Sequence, residues 1–409
     1  MNSILFLLLY IIAEADESSA VSTAEGVEFV ISAPSMKQSA IDLSGFPKLI
    51  LRLYSRWNCT VRVCTDGLTS FRNFVNKLVA LRPLTPTRFF HEELFYGPKL
   101  ASGYRWTYHL KSKETFTVLV ILMTGQLKAE TFTAVPVSGW GKEYIIVTLR
   151  TDVSVVIVNN DVPNHVMFTL MASEDNFEIL IGKKYYKSGK HIKIFLARFG
   201  SYAISNCGSN TPQAYITGSR LKGHTPFGVV SGNCYGMTET LQCGSSNANE
   251  TVEGTTGSTV AEMLLPVETF GKIFILFNAT GRFSPGFYII TAVDSNGTDV
   301  YLCRLAYGSE IKEHIYLNKS GEWVTRPGSF SVLQADQPVQ VVYAQNSSCD
   351  LTSDGDPSLL MMVPVELFYY IYFCVIPFIP IRHYMVLVVK SELISSIRSI
   401  YSRELPFLG

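Results

Sequence analysis

The stretch Ala134–Leu149, AVPVSGWGKEYIIVTL, decides how the chain is to be read. The pair Pro136-Val137 enters a short polar link, Trp140-Gly141-Lys142-Glu143 follows, and a run of β-branched and aromatic residues closes it. The same order returns at Leu265–Asn278, LPVETFGKIFILFN. An altered copy lies at Val363–Val375, VPVELFYYIYFCV, and the back half alone stands at Gly26–Ser32, GVEFVIS. Recurrence in fixed order marks tandem units, so the chain reads as one β-unit used about three times.

Unit one opens at Gly26-Val27-Glu28-Phe29-Val30 and closes with Lys113–Val120, ahead of Pro136-Val137. Unit two opens at Gly141 and closes with Gly200–Ile204 and then Pro226–Cys234, ahead of Pro266-Val267. Unit three opens at Gly271 and closes with Pro338–Tyr343, ahead of Pro364-Val365. The opening glycines are 115 and 130 residues apart, long enough for each unit to hold its own two-sheet core. The expected division is β-unit one at 24–136, β-unit two at 137–265 and β-unit three at 266–363, with a truncated fourth unit or membrane-proximal tail at 364–409.

No long stretch keeps a 3.6-residue period. Short apolar and β-branched runs recur instead, separated by Gly, Asn, Asp and Ser: Lys48–Tyr54, Thr60–Val63, Thr117–Met123, Val153–Val158, Val166–Met171, Ile192–Leu196, Phe227–Val230, Tyr288–Thr291 and Val339–Tyr343. Ser154–Asn159 and Asp336–Tyr343 alternate imperfectly, as strands buried on both faces do. The prolines ahead of the closing runs suit a strand start or an edge, where the missing N–H is not needed. The expected fold is all-β: tandem antiparallel sandwich-like units with a short irregular C-terminal tail.

Composition narrows the function. Among 409 residues, Lys plus Arg and Asp plus Glu are 34 each, so no net field draws the protein to nucleic acid or an anionic membrane. The apolar run Ile4–Ile12 ahead of Ala13-Glu14-Ala15 reads as a signal peptide spanning residues 1–15, too short to cross a bilayer. Six Asn-x-Ser/Thr sequons, at Asn58, Asn249, Asn278, Asn296, Asn318 and Asn346, mark glycosylation in exposed loops. The eight cysteines fit an oxidising compartment. Cys59 with Cys64 and Cys234 with Cys243 each flank a turn that a disulfide would close, and Cys303 with Cys349 would tie the ends of unit three. Cys207 and Cys374 are left over.

Two readings of the apolar stretch Leu359–Ile381 stand, a membrane span and the buried strands of a truncated fourth unit. Pro364, Pro377, Pro380 and Glu366 interrupt it, which favours the strands. Ser391–Ser402 is expected as a short helix in the tail.

His91, His109, His165, His191, His224, His314 and His383 never fall within four residues of one another, so zinc spacings are missing and surface positions are expected. Gly228-Val229-Val230-Ser231-Gly232 lacks the glycine placement of a nucleophile elbow and reads as a structural turn. Gly182–Lys190 and Gly139–Glu143 fail the phosphate-loop spacing. Asp294–Asp299 and Asp350–Asp356 carry oxygens for calcium without EF-hand spacing and read as polar turns. No catalytic residue, metal site or cofactor site is expected.

The motifs PVSGWGKEYIIVTL, PVETFGKIFILF, GSYAISN, ITGS, PFGVVSGNCYG and GVEFVIS together resemble the N-terminal domain of IgGFc-binding proteins, over residues 24–365. The resemblance implies a secreted, mucus- or surface-associated glycoprotein module without enzymatic activity, whose named ligand is the Fc part of immunoglobulin. The chain departs from that pattern in the Gly/Ser/Thr/Asn-rich insertion Gly244–Thr259, and it lacks the cysteine-rich modules of larger relatives. The leading expectation is therefore an extracellular module that binds protein or glycoprotein ligands through exposed loops, with Tyr202–Gly218, Cys234–Cys243 and the insertion as candidates. Its rivals are a membrane-anchored receptor fragment using Leu359–Ile381 and a carbohydrate-active enzyme using Glu143, Glu268 and Asp294 as carboxylates.

Overall fold

A computed structural model of the protein describes residues 5–10, 24–36, 48–66, 75–83, 85–90, 101–123, 129–174, 176–207, 215–236, 258–277, 286–293, 297–306, 309–318, 322–325, 331–345, 357–368 and 383–388. The chain begins with β1 (Leu5–Tyr10). Strands β2 (Gly26–Ile31), β3 (Lys48–Tyr54), β4 (Cys59–Asp66), β5 (Asn76–Leu81), β6 (Thr87–Phe90), β7 (Ala101–Arg105), β8 (Thr107–Met123) and β9 (Ala129–Thr133) follow. Next come β10 (Gly141–Ile145), β11 (Ser154–Asn159), β12 (Asn164–Thr169), β13 (Glu178–Ile181), β14 (Lys184–Lys187), β15 (His191–Leu196), β16 (Ser201–Asn206), β17 (Arg220–Gly236) and β18 (Ser258–Met263). Then β19 (Gly271–Ile275), β20 (Phe287–Ala292), β21 (Thr298–Ala306), β22 (Ser309–Leu317), β23 (Glu322–Thr325), β24 (Val332–Gln345) and β25 (Ser358–Met361) precede β26 (His383–Val388).

One strand plan occurs three times. The order β5-β4-β8-β3-β6, with β2 and β9 also on β8, is repeated by β15-β12-β17-β11-β16 with β10 and β18. It is repeated again by β22-β21-β24-β20-β23 with β19 and β25. All these pairings are antiparallel. The fold is all-β, as its alternating and β-branched runs require.

The long strands β8, β17 and β24 organise the units. The first half of β8 pairs with β2 and β4, and its second half with β3 and β9. Each long strand thus leaves one sheet and enters the other, the corner that joins two packed sheets. The closing strands begin well before the prolines that the sequence reading put at their starts. Pro226 and Pro338 lie inside β17 and β24, at the change of sheet, where neither has a ladder partner. A residue without an N–H is tolerated there because no ladder bond is asked of it.

The two sheets of a unit differ in what covers them. β12 and β15 alternate buried and exposed residues, so the first sheet keeps one face in water. β11 and β18 are buried at every position. The second sheet is covered on both faces because neighbouring units lie against it, with β18 set between β9 and β25. One apolar core runs through units one and two and reaches Ile289, Val342, Ala344 and Met361 of unit three.

Polar seams accompany that packing. β7, in the stretch assigned by sequence to unit one, pairs with β16 of unit two, setting Tyr104 opposite Tyr202. Beside it, Ser35 N–H donates to Ser154 Oγ at 2.9 Å and Ser201 Oγ donates to Ser32 Oγ at 3.0 Å, all four buried. Between units two and three, Arg220 donates to the Val293 carbonyl at 2.9 Å and Gln340 to the Ile145 carbonyl at 3.4 Å. These seam groups are matched to one another, which lowers the cost of burying them.

The repeated Pro-Val motif is the clasp of a unit. Val137–Gly139, Val267–Thr269 and Val365–Leu367 each form one 3-10 turn just after the proline. Pro136, Pro266 and Pro364 then lie on Gly26, Gly141 and Gly271, the opening glycines of the units they end. Pro364–Phe368 therefore closes unit three. The remainder of the apolar stretch, 369–381, and the tail helix expected at Ser391–Ser402 lie outside the described residues. No helix among the described residues is long and apolar enough to cross a membrane. β1, inside the segment read as a signal peptide, runs parallel to β26 with Leu5 opposite His383 and Tyr10 opposite Val388.

Candidate functional site

The shared plan makes positions on different units comparable, and the solvent-facing side of each first sheet is where they diverge. Across β5, β4, β8 and β2 the row is Leu78, Arg62, Lys111 and Glu28. The equivalent row of unit two is Lys193, Met167, Lys222 and Glu143. In unit three it is His314, Tyr301, Gln334 and Ile273. Large apolar groups stand open to water in all three, with Leu78 73%, Met167 40% and Tyr301 39% exposed.

Units one and two share one electrostatic feature. Lys111 Nζ lies 3.2 Å from Glu28 Oε2, and Lys222 Nζ lies 3.2 Å from Glu143 Oε2. Burial works against the Glu28 carboxylate, yet hydrogen bonds from His109 and Lys111 outweigh it and hold its pKa below the ordinary carboxylate value. His109 stacks on Phe199 of unit two with ring centroids 4.2 Å apart, so this pair belongs to the seam. In unit three, Gln334 and Ile273 replace the ion pair, and His314 Nε2 meets Asp299 Oδ1 at 2.6 Å while its ring stacks on Tyr301.

The face of unit two sets three histidines around its two lysines. Beside the Lys193–Glu143 row, the Phe195 ring lies 5.1 Å from His165, whose ring is 6.5 Å from His224. On the other side, Thr169 Oγ1 is 2.9 Å from His191 Nδ1. The strand spacing that alternates core and surface residues places these side chains together; nothing in their linear order announces it.

The loops expected to carry recognition are placed differently. Most of Tyr202–Gly218 that is described is buried: Tyr202–Ser205 lies in β16, and Ile216 and Thr217 are held by hydrogen bonds with Thr148. Residues 208–214 and 237–257, which include most of Cys234–Cys243 and the Gly/Ser/Thr/Asn-rich insertion, lie outside the described residues. The sequence around Ser231 is the middle of β17 and not a turn. Ser231 Oγ donates to the Val147 carbonyl at 2.6 Å, and a Cβ on Gly232 would stand 1.9 Å from the Val260 carbonyl oxygen. Asn233, fully buried, accepts from Leu149 N–H at 2.8 Å and donates to the carbonyls of Leu149 and Thr151. It thereby holds a tight turn in which Thr151 and Asp152 have φ of 66° and 41°. Every residue of Ser-Gly-Asn-Cys has a structural task.

Cysteine pairing is corrected. Cys234 is bonded to Cys207, one of the two left over in the sequence reading, and not to Cys243. Cys207 ends β16 and Cys234 lies in β17, two strands that flank β11, so tertiary neighbours replace the sequence neighbour. Cys59 and Cys64 carry thiols because β4 and not a turn runs between them. Five residues of strand set them roughly 16 Å apart, far beyond disulfide reach. Cys303 is buried in β21, and Cys243, Cys349 and Cys374 lie outside the described residues.

Of the sequons, Asn58 and Asn318 are exposed next to β4 and β22; Asn249, Asn278, Asn296 and Asn346 lie outside the described residues. The carboxylates weighed for glycoside chemistry have separate engagements: Glu143 with Lys222, and Glu268 with the Lys142 N–H at 3.3 Å. Asp294 and 350–356 fall outside the described residues. Among the described residues no three His, Cys, Asp or Glu side chains gather to hold a metal ion.

These features define a tandem all-β protein that uses one antiparallel strand plan three times. The chain belongs to the IgGFc binding protein family, which matches residues 130–398. That match begins in β9 and takes in units two and three, while unit one shares their strand plan. No curated protein and no solved structure matches the chain.

Proposed function

We propose that the chain is a secreted or surface-displayed binding module that recognises a protein or glycoprotein ligand and carries out no catalysis. The observation that carries this reading is the gathering of Leu78, Met167, Phe195, Ile273, Tyr301 and Tyr316 on the outer faces of the three first sheets, each at least 36% exposed. Exposed apolar groups set among charges do little for folding and are what an interface core uses. A scaffold repeated three times with its outward row recast each time suits recognition on rigid elements.

Export is supported by the apolar run ahead of Ala13-Glu14-Ala15, by the Cys207–Cys234 bond and by the exposure of the Asn58 and Asn318 sequons. Cleavage after Ala15 removes β1 from the mature chain. Mass spectrometry of the chain expressed in animal cells should find Asp16 at the N-terminus and glycan on Asn58 and Asn318. Retention in the membrane fraction in place of the medium would favour an anchored receptor instead.

The family description makes the Fc part of immunoglobulin the first ligand to try. Immobilised, secreted chain should capture Fc or another purified extracellular glycoprotein in a biolayer assay. Capture of none of them across a broad panel would defeat the reading.

A further inference from the structure

Within that reading, we propose that the outer face of β15, β12, β17 and β10 is the docking surface of unit two, and that its occupant is an acidic polypeptide segment carrying apolar side chains. The protein as a whole is neutral, with 34 basic and 34 acidic residues. This face is not. Lys193 and Lys222 flank Met167 in one row, and His165 and His224 stand with Phe195 in the next. The single carboxylate in those rows, Glu143, is already paired to Lys222 at 3.2 Å, and the Lys222 side chain is still 71% exposed. A partner is therefore chosen by negative charge, since like charges set opposite each other cost several times what a rim pair contributes.

The apolar groups decide between a polypeptide and an anionic sugar chain. Met167 is 40% and Phe195 46% exposed, and both belong to the strand pair β12 and β15. They are diagonal neighbours across that pair, about 7–8 Å apart, a spacing that apolar side chains of a peptide can bridge. Methionine is unbranched and polarisable and repacks around an apolar partner, a group that a sulfated sugar does not offer. Unit one's row holds the same kinds of residue in another order, Leu78, Arg62, Lys111 and Glu28, but Ala80 and Thr60 stand where unit two has Phe195 and His165, and in unit three Gln334 replaces Lys222.

The test uses the full secreted chain and a short fluorescein-labelled peptide of glutamates around a pair of leucines, read by fluorescence anisotropy at two salt concentrations. Wild type should bind, and less well at high salt. The double variant Lys193→Glu with Lys222→Glu should lose about tenfold or more in affinity. Met167→Ala should weaken binding a few-fold, and Lys184→Glu, an exposed lysine on β14 outside these rows, should change nothing. All four positions face water, so melting curves are expected to overlay and to separate loss of binding from loss of fold. Equal affinity of wild type and the double variant overturns the assignment, as does tighter binding of a heparin fragment than of the peptide through the same lysines. If the double variant still captures the ligand found by the biolayer panel as wild type does, this face is wrong while the binding function stands; if wild type captures nothing in either assay, both fall.

Discussion

Pro266 lies against Gly141 so closely that a Cβ on the glycine would stand 2.3 Å from the Cβ of the proline. The same contact joins Pro136 to Gly26 and Pro364 to Gly271, at 2.3 and 2.2 Å. In units two and three a carboxylate completes it, with Glu268 accepting from Lys142 N–H and Glu366 from Lys272 N–H at 2.8 Å. Unit one has Ser138 in place of that glutamate. The clasp is why glycine opens each unit and proline ends it: any side chain at the first position expels the second.

Gly141→Ala should therefore destabilise unit two by about 1–3 kcal/mol, the usual cost of overpacking a close contact. Urea unfolding of the secreted chain checks this, and an unchanged midpoint would show that the clasp yields.

Asn233→Ala leaves the carbonyls of Leu149 and Thr151 and the Leu149 N–H buried without their partner. Leaving such groups unsatisfied costs about 1–3 kcal/mol each, so a loss of a few kcal/mol in total is expected. Proteolysis should report it first as cutting near Thr151, where the backbone is held at positive φ.

The Cys207–Cys234 bond closes a loop with 27 residues of sequence separation. In the chain-entropy picture, Cys207→Ser with Cys234→Ser should cost about 3.5 kcal/mol. Non-reducing peptide mapping should recover the Cys207–Cys234 cross-link and alkylate Cys59 and Cys64 without prior reduction. A Cys234–Cys243 peptide would contradict the placement of β16 and β17.

Glu262 is buried where β18 meets β25, accepting from the Met263 N–H at 3.1 Å and from the backbone of Met361, and burial pushes its pKa up from 4.5 to about 8. The folded chain thus holds a proton that the unfolded chain releases above pH 4.5. Its contribution to stability is whole below that pH, declines as pH rises and is gone once the pH has passed about 8. The decline is no steeper than about 1.4 kcal/mol per pH unit. Glu262→Gln should remove this slope, so variant and wild type diverge between pH 5 and pH 9 in thermal melts, with wild type the less stable at the alkaline end. Parallel pH profiles would refute it.

Much of the fold is legible in the order of residues. Val-Val-Ile-Val in β11 has no polar alternation because both of its faces are covered, and His191-Ile192-Lys193-Ile194-Phe195-Leu196 alternates because one face of β15 is wet. The candidate site was not legible in the same way. Met167, Lys193 and Lys222 are far apart in sequence and become a row only through the registers of β12 with β15 and β17. The signal available was the outward parity of each strand, which names the exposed residues but not their neighbours. The loops favoured in their place were drawn from turn-forming composition, and the described parts of Tyr202–Gly218 are largely buried by β11 and Thr148.

By itself the sequence determined the class and the count: period-two runs dictate strands, and the recurring glycine and proline dictate how often the unit is built. Which cysteine meets which, where Pro226 and Pro338 fall along a strand that changes sheets, and which exposed side chains share a face were decided by tertiary structure alone. The reason is physical. Local patterns act over a few residues of backbone, whereas disulfides, sheet corners and binding faces are set by strand register between segments tens of residues apart, and register follows from how whole sheets bury one another.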